Sequence, residues 1–180
     1  MEKLQKSFEV AVPVRAAYNQ WTQFEQFPRF MDGVKEVRQI DDTHVHWHAS
    51  VAGVDKEWDA EITEQVPDQV IAWHSVSGPR NAGEVRFEPL DRERTRIQLT
   101  MEYEPDGALE KAGDALGFTS RQLDRTVDGF REFLERRGRE TGGWRGEVHD
   151  GEESPGDELN PPAPLSSREW QVGSGVPRRG

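Results

Sequence analysis

The sequence predicts an α+β domain: an antiparallel sheet of about seven strands, two short helices after the first strand, and one long C-terminal helix against the sheet. Three observations carry this. Seven segments before residue 106 alternate apolar and polar side chains with a period of two, and turn residues separate them. Residues 109 to 134 instead place Leu109, Ala112, Leu116, Leu123, Val127, Phe130 and Leu134 at helical steps of three, four and seven, with charged residues on the other face. Residues 14 to 27 show the same helical spacing over a shorter span.

The first strand is "SFEVAV". Pro13 follows it and suits the first turn of a helix. In "VRAAYNQWTQFEQF", Ala17, Trp21 and Phe24 share a face, and Pro28 interrupts the pattern, so two short helices joined near Thr22 are expected. Six strands follow: "VKEVRQI", "HVHWHASV", "KEWDAEITEQV", "QVIAWHSVS", "GEVRFEP" and "TRIQLTMEYEP". Gly113 and Gly117 weaken the middle of the long helix, and Gly138 marks its end.

Turn chemistry sets the strand register. With Ala52 and Gly53 as the loop of a hairpin, Trp47 faces Trp58 and Val45 faces Ala60, while His44, His46 and His48 face Glu61, Asp59 and Glu57. With Pro67 and Asp68 as the next loop, Ala60 meets Ser75, Ile62 meets Trp73 and Glu64 meets Ile71. Both hairpins put Trp58, Ala60 and Ile62 on one face. Alternation in the last two strands adds Val85, Phe87, Ile97, Leu99, Met101 and Tyr103 to it. The histidines fall on the opposite face, which carries carboxylates. His-x-His on a strand is able to chelate zinc, but a solvated sheet face offers neither a pocket nor supporting hydrogen bonds, so no metal site is expected.

Composition narrows the function. The 180 residues carry a net charge of -11 and no cysteine, with 33% hydrophobic residues. Disulfides and thiolate chemistry are excluded. The acidity opposes a nucleic-acid surface, which needs basic side chains against phosphate. No apolar run approaches the roughly 20 residues of a membrane span, and the N-terminus lacks a signal-peptide pattern. A cytoplasmic protein without a cofactor is expected. Residues 138 to 180 hold nine of the 17 glycines and five of the 11 prolines, with scattered apolar residues. They are expected to form a disordered acidic tail after a domain spanning 1 to 137, with Trp170 as a candidate contact for a protein partner.

The inner face is rich in large apolar groups, three of them indoles. If the helix spans the sheet without filling the hollow beneath it, the expected ligand site is Trp47, Trp58, Ile62, Ile71, Trp73, Ser75, Val85, Phe87, Leu99, Met101, Tyr103 and Leu116. Arg80, Asn81, Asp114 and Arg121 are candidates for its mouth. Mid-strand inward positions hold no His, Asp or Glu. Lys56 and Glu64 share the inward parity near their strand ends. Tyr103 is thus the one candidate acid for catalysis, because acid–base chemistry needs a titratable group at the substrate.

The stretch "VAVPVRAAYNQWTQFEQFPRFMDGVKEVRQID" resembles the entry region of the START-like, or SRPBCC, superfamily. "DKEWDAEITEQVPDQVIAWHSVSGPRNAGEVRFEPLDRERTRIQLTMEYEP" is similar to the middle of its bacterial polyketide cyclase/dehydrase and lipid-transport members. The likeness spans residues 3 to 137. It implies a helix-grip fold, in which a curved antiparallel sheet wraps a long C-terminal helix around a cavity. It further implies a small hydrophobic ligand: a lipid, a quinone or a polyketide-like aromatic. A polyketide cyclase or dehydratase activity is the alternative it offers, and an interaction scaffold with a partner-recruiting tail is a third. Aromatase/cyclase relatives are expected to line the cavity with ionisable groups, and this chain offers few.

Overall fold

The computed structural model describes residues 2–51, 53–104 and 115–154. Strand β1 (Glu2–Val10) leads into helix α1 (Val14–Trp21) and a 3-10 helix (Phe24–Arg29). Strands β2 (Val34–Gln39), β3 (His44–Val51), β4 (Val54–Val66), β5 (Val70–Ser75), β6 (Asn81–Asp91) and β7 (Arg94–Tyr103) follow. Helix α2 (Ala115–Arg137) and a small hairpin of β8 (Glu147–His149) and β9 (Glu152–Ser154) complete the described chain. The main sheet is antiparallel in the order β1-β7-β6-β5-β4-β3-β2, with β8 joined to β4. The helix-grip expectation therefore holds, including both short helices. Pro28 lies inside the 3-10 helix instead of ending it. Residues 105–114 lie outside the described ones, and with them Leu109, Ala112, Gly113 and Asp114.

The β3–β4 hairpin has the register its turn implies. Trp47 pairs with Trp58, Val45 with Ala60, and His44, His46 and His48 with Glu61, Asp59 and Glu57. The β4–β5 hairpin starts as expected, with Ala60 opposite Ser75 and Ile62 opposite Trp73. A bulge between Ile62 and Glu64 then shifts the ladder by one residue, so Gln65, not Glu64, lies opposite Ile71. A bulge puts two residues of one strand against one of its partner and so reverses face parity beyond it. Gln65 is accordingly the buried side chain, and Glu64 meets His149 of β8 with Oε1 3.0 Å from Nδ1. The inward position expected for Glu64 is corrected.

Alpha1 and α2 meet over the inner face. Trp21 packs edge-on against Phe130 of α2, at 5.0 Å between ring centroids, and against Phe87 of β6 at 6.3 Å. Phe27 meets Trp21 and Trp47 in the same geometry, at 5.5 and 5.7 Å. Each such pair adds about 0.5–1.5 kcal/mol beyond the area it buries. Leu134 and Phe130, both fully buried, seat α2. The helix ends at Gly138, whose φ of +70° and N–H donated to the Leu134 carbonyl form a left-handed cap.

Residues 138–154 are not a detached tail. They run back across α1 as a strap. The Trp144 N–H donates to Thr22 Oγ1 at 3.0 Å, and Thr141 and Gln20 exchange hydrogen bonds of 2.8 and 3.1 Å. Arg145, with its side chain 7% exposed, holds Asp68 of the β4–β5 turn through two bonds of 2.8 and 2.7 Å. It also donates to Asn19 and lies 5.5 Å over the Tyr18 ring. Burial pushes the Tyr18 phenol well above its ordinary range, against the lowering influence of Gln65 and Arg145. The domain boundary expected at 137 is therefore misplaced by at least the 17 residues to Ser154. The strap docks through hydrogen bonds and close approach: a Cβ on Gly143 would meet Asn19 Cγ at 2.6 Å. Such docking leaves no periodic apolar pattern in a sequence. Trp170 and the partner contact expected of it lie outside the described residues.

Candidate functional site

Between the sheet and α2 lies a cavity of about 240 Å³. One wall is the row of inward side chains from β3, β4 and β5: Val45, Trp47, Ala49, Trp58, Ala60, Ile62, Ile71 and Trp73. Leu99, Met101 and Tyr103 of β7 extend it, and Leu4 of β1 closes that side. Trp21, Phe24, Phe27 and Met31 form the floor, and Leu123 and Thr126 of α2 the roof. The Trp47 and Trp58 indoles are parallel, with an interplanar angle of 1° and centroids 5.9 Å apart. Their cross-strand pairing in β3 and β4 fixes this arrangement.

Polar groups gather at the rim. Asp32, Lys56, Pro79, Arg80, Asn81, Glu104 and Gln122 border the opening. Arg80 and Glu104 are highly exposed and lie 3.8 Å apart. Gln122 of α2 donates to the Asp32 carbonyl at 3.0 Å, and Arg125 approaches the Asp32 carboxylate at 3.6 Å. These two contacts tie the loop after the 3-10 helix to the roof. Inside, Tyr103 Oη is buried and has no hydrogen-bond partner among the described residues. A buried hydroxyl left unpaired costs about 1–3 kcal/mol.

Eight of the twelve residues expected at the site line this cavity: Trp47, Trp58, Ile62, Ile71, Trp73, Leu99, Met101 and Tyr103. Three do not. Val85 and Phe87 are core residues, because α1 lies over their end of the sheet and Phe87 packs edge-on against Tyr18 at 5.4 Å. Ser75 ends β5, and its Oγ accepts the Asn81 N–H at 3.0 Å, which braces the loop at the rim. Leu116 lies on α2 in a stretch whose side chains are outside the described ones. Of the mouth candidates, Arg80 and Asn81 border the opening and Arg121 does not. Strand parity contained Val45, Ala49 and Ala60 already. The floor residues were visible only as helical spacing, which says nothing of what the helix faces.

None of the five histidines lines the cavity. His46 binds Asp59 at 2.7 Å, His44 binds Asp41 at 3.0 Å, and His48 and His74 lie near Asp55 and Glu61 at 3.5 and 3.6 Å. Each sits on the outer face beside carboxylates. Among the described residues no helix is long and apolar enough to cross a membrane.

Residues 10–130 match the family described as polyketide cyclase/dehydrase and lipid transport. An uncharacterised 17.2 kDa protein of Streptomyces lincolnensis is 54% identical over 149 residues, which cover 82% of this chain and 99% of that protein. Three solved structures share the fold. TTHA0849 of Thermus thermophilus aligns with a TM-score of 0.65 at 19% identity, over 76% of this chain and 99% of its own. The Zhui aromatase/cyclase from a Streptomyces species gives 0.64 at 21%, over 79% and 99%. A START superfamily protein from Mycobacterium smegmatis gives 0.62 at 16%, over 73% and 98%. At such identities the solved structures speak to the fold alone.

Proposed function

The chain belongs to the polyketide cyclase/dehydrase and lipid transport family, and from that premise we propose that it binds a hydrophobic small molecule between the sheet and α2. The observation that carries this is an apolar cavity of about 240 Å³ holding a buried hydroxyl, Tyr103 Oη, with no hydrogen-bond partner among the described residues. A concave, mostly apolar site with a few orienting polar groups is the usual form of a small-molecule site. The ligand lies against the Trp47, Trp58 and Trp73 indoles and bonds to Tyr103 through an oxygen. Native mass spectrometry of freshly purified protein tests this. A bound small molecule, or saturable uptake of one of palmitate, menadione or 2-naphthol, supports the proposal. Bare protein that takes up none of the three contradicts it.

Tyr103 also sustains an enzymatic alternative, since its phenol, buried among the apolar lining residues, is able to donate a proton to a ketone substrate. Turnover of a model poly-ketone that is lost in Tyr103→Phe would establish it. Equal turnover in that variant would remove Tyr103 as the acid.

A further inference from the structure

The row of residues that crosses the sheet beneath the cavity runs Ile62, Trp73, Gly83, Met101 and Leu4, each the register partner of the next. Four of the five line the cavity, and the fifth has no side chain. Glycine weakens a strand interior, and its presence there marks a bulge, a bend or a close approach. No bulge interrupts the β5–β6 ladder from Val70 to His74. Gly83 is also absent from the positive-φ glycines, so the backbone does not demand it. What demands it is Trp73. A Cβ on Gly83 would lie 2.6 Å from Trp73 Cε2 and 2.7 Å from Cη2, with Cζ2 nearer still, where ordinary contact begins at 3.4 Å. The indole lies flat on the bare backbone of β6, as aromatic side chains do when they cover a strand glycine.

We propose that Gly83 is the specificity-determining position of the cavity: it seats the Trp73 indole flat on the sheet, and that seat sets the longest ring system the cavity admits. The proposal rests on the binding function above. Beta6 is hydrogen-bonded on both sides, to β5 and β7, so its backbone is poorly placed to yield. The indole is the part that moves when a side chain is added at 83. The open volume on that face is the cavity itself, so the ring swings into the space of the ligand. A longer ligand is excluded first, because a rigid ring system has no conformation that avoids the displaced indole.

The experiment measures the affinities of phenol, 2-naphthol and 2-hydroxyanthraquinone by calorimetry for the full chain, Gly83→Ala, Trp73→Phe and the double variant. Circular dichroism checks each fold. The readout is the ratio of three-ring to one-ring affinity. Gly83→Ala is expected to lower this ratio roughly tenfold or more, the scale of one misplaced methyl in an apolar pocket. Adding Trp73→Phe to it should restore the ratio, because the smaller ring leaves room for the new methyl. An unchanged ratio in a folded Gly83→Ala protein overturns the proposal while leaving the binding function intact. Should Gly83→Ala fail to fold, Trp73→Phe alone decides: a raised ratio supports the proposal and an equal ratio overturns it. A wild-type chain that takes none of the three probes overturns the proposal, and one that also refuses palmitate and menadione defeats the binding function itself.

Discussion

Replacing Tyr103 with phenylalanine has two opposed consequences, and their signs test the site. The Tyr103 hydroxyl is buried without a hydrogen-bond partner among the described residues, although the rest of the side chain is only half-buried. An unsatisfied buried polar group costs about 1–3 kcal/mol, and partial exposure of the residue favours the lower end. Removing the oxygen should therefore stabilise the ligand-free protein by about 1 kcal/mol. For a chain of 180 residues that is a rise in Tm of about 2–4 °C. In the complex the same oxygen bonds to the ligand, and its loss costs about 1 kcal/mol, or roughly fivefold in Kd. Thermal melts by circular dichroism measure the first effect. Calorimetry with 2-naphthol, set against naphthalene, measures the second. The variant should melt higher, bind 2-naphthol more weakly and bind naphthalene as the wild type does. A lower Tm with no change in 2-naphthol affinity would show that the hydroxyl is already satisfied and plays no part in binding.

Three further outcomes follow from the strap, the outer face and α2. Asp68→Asn should cost about 3 kcal/mol in urea unfolding, because it strands a deeply buried Arg145, whereas Arg145→Ala should cost less, since Asp68 keeps about a third of its side chain in water; the reverse order would mean that the strap is not held by this pair. The His149 imidazolium donates hydrogen bonds to Glu147 and Glu64, Glu147 having the larger effect, so its pKa in the folded protein is raised. The stabilisation is then complete below the unfolded value of about 6.5 and fades as pH rises through the folded one. The Tm difference between wild type and His149→Gln should be positive near pH 5 and shrink toward pH 9; a difference that grows with pH would reverse this assignment. Gly129→Ala should destabilise by about 1–2 kcal/mol although alanine favours helices, because the added methyl runs into the Phe30 carbonyl. A stabilised variant would show that α2 does not approach that loop so closely.

Much of the site was legible because two local signals agreed. A Gly53 turn and the alternation of indoles with imidazoles fix the β3–β4 register, so the inward course of Trp47 and Trp58 could be read from spacing alone. Parity then failed in two physical ways. A bulge at Thr63 adds one residue without any composition signal, and it exchanges the faces of Glu64 and Gln65. Parity also says which face a residue joins but not how far along the sheet it lies. Val85 and Phe87 have the correct face and the wrong end, the end that Tyr18 and Trp21 fill. The strap escaped detection for a third reason. Its hold on the domain is a buried Arg145 with side-chain hydrogen bonds, the β8 ladder to β4 and one buried Val148, and a glycine- and charge-rich sequence with that role looks like a solvated tail.

The indole N–H resonances of the tryptophans offer the decisive titration. Trp21, Trp47, Trp58 and Trp73 border the cavity, while Trp144 belongs to the strap. On addition of 2-naphthol to the full chain, the four cavity signals should shift along saturating curves with a shared Kd, and the Trp144 signal should stay in place. Linear, unsaturable shifts, or a response confined to Trp144, would mean that the hollow under α2 holds no ligand of this kind.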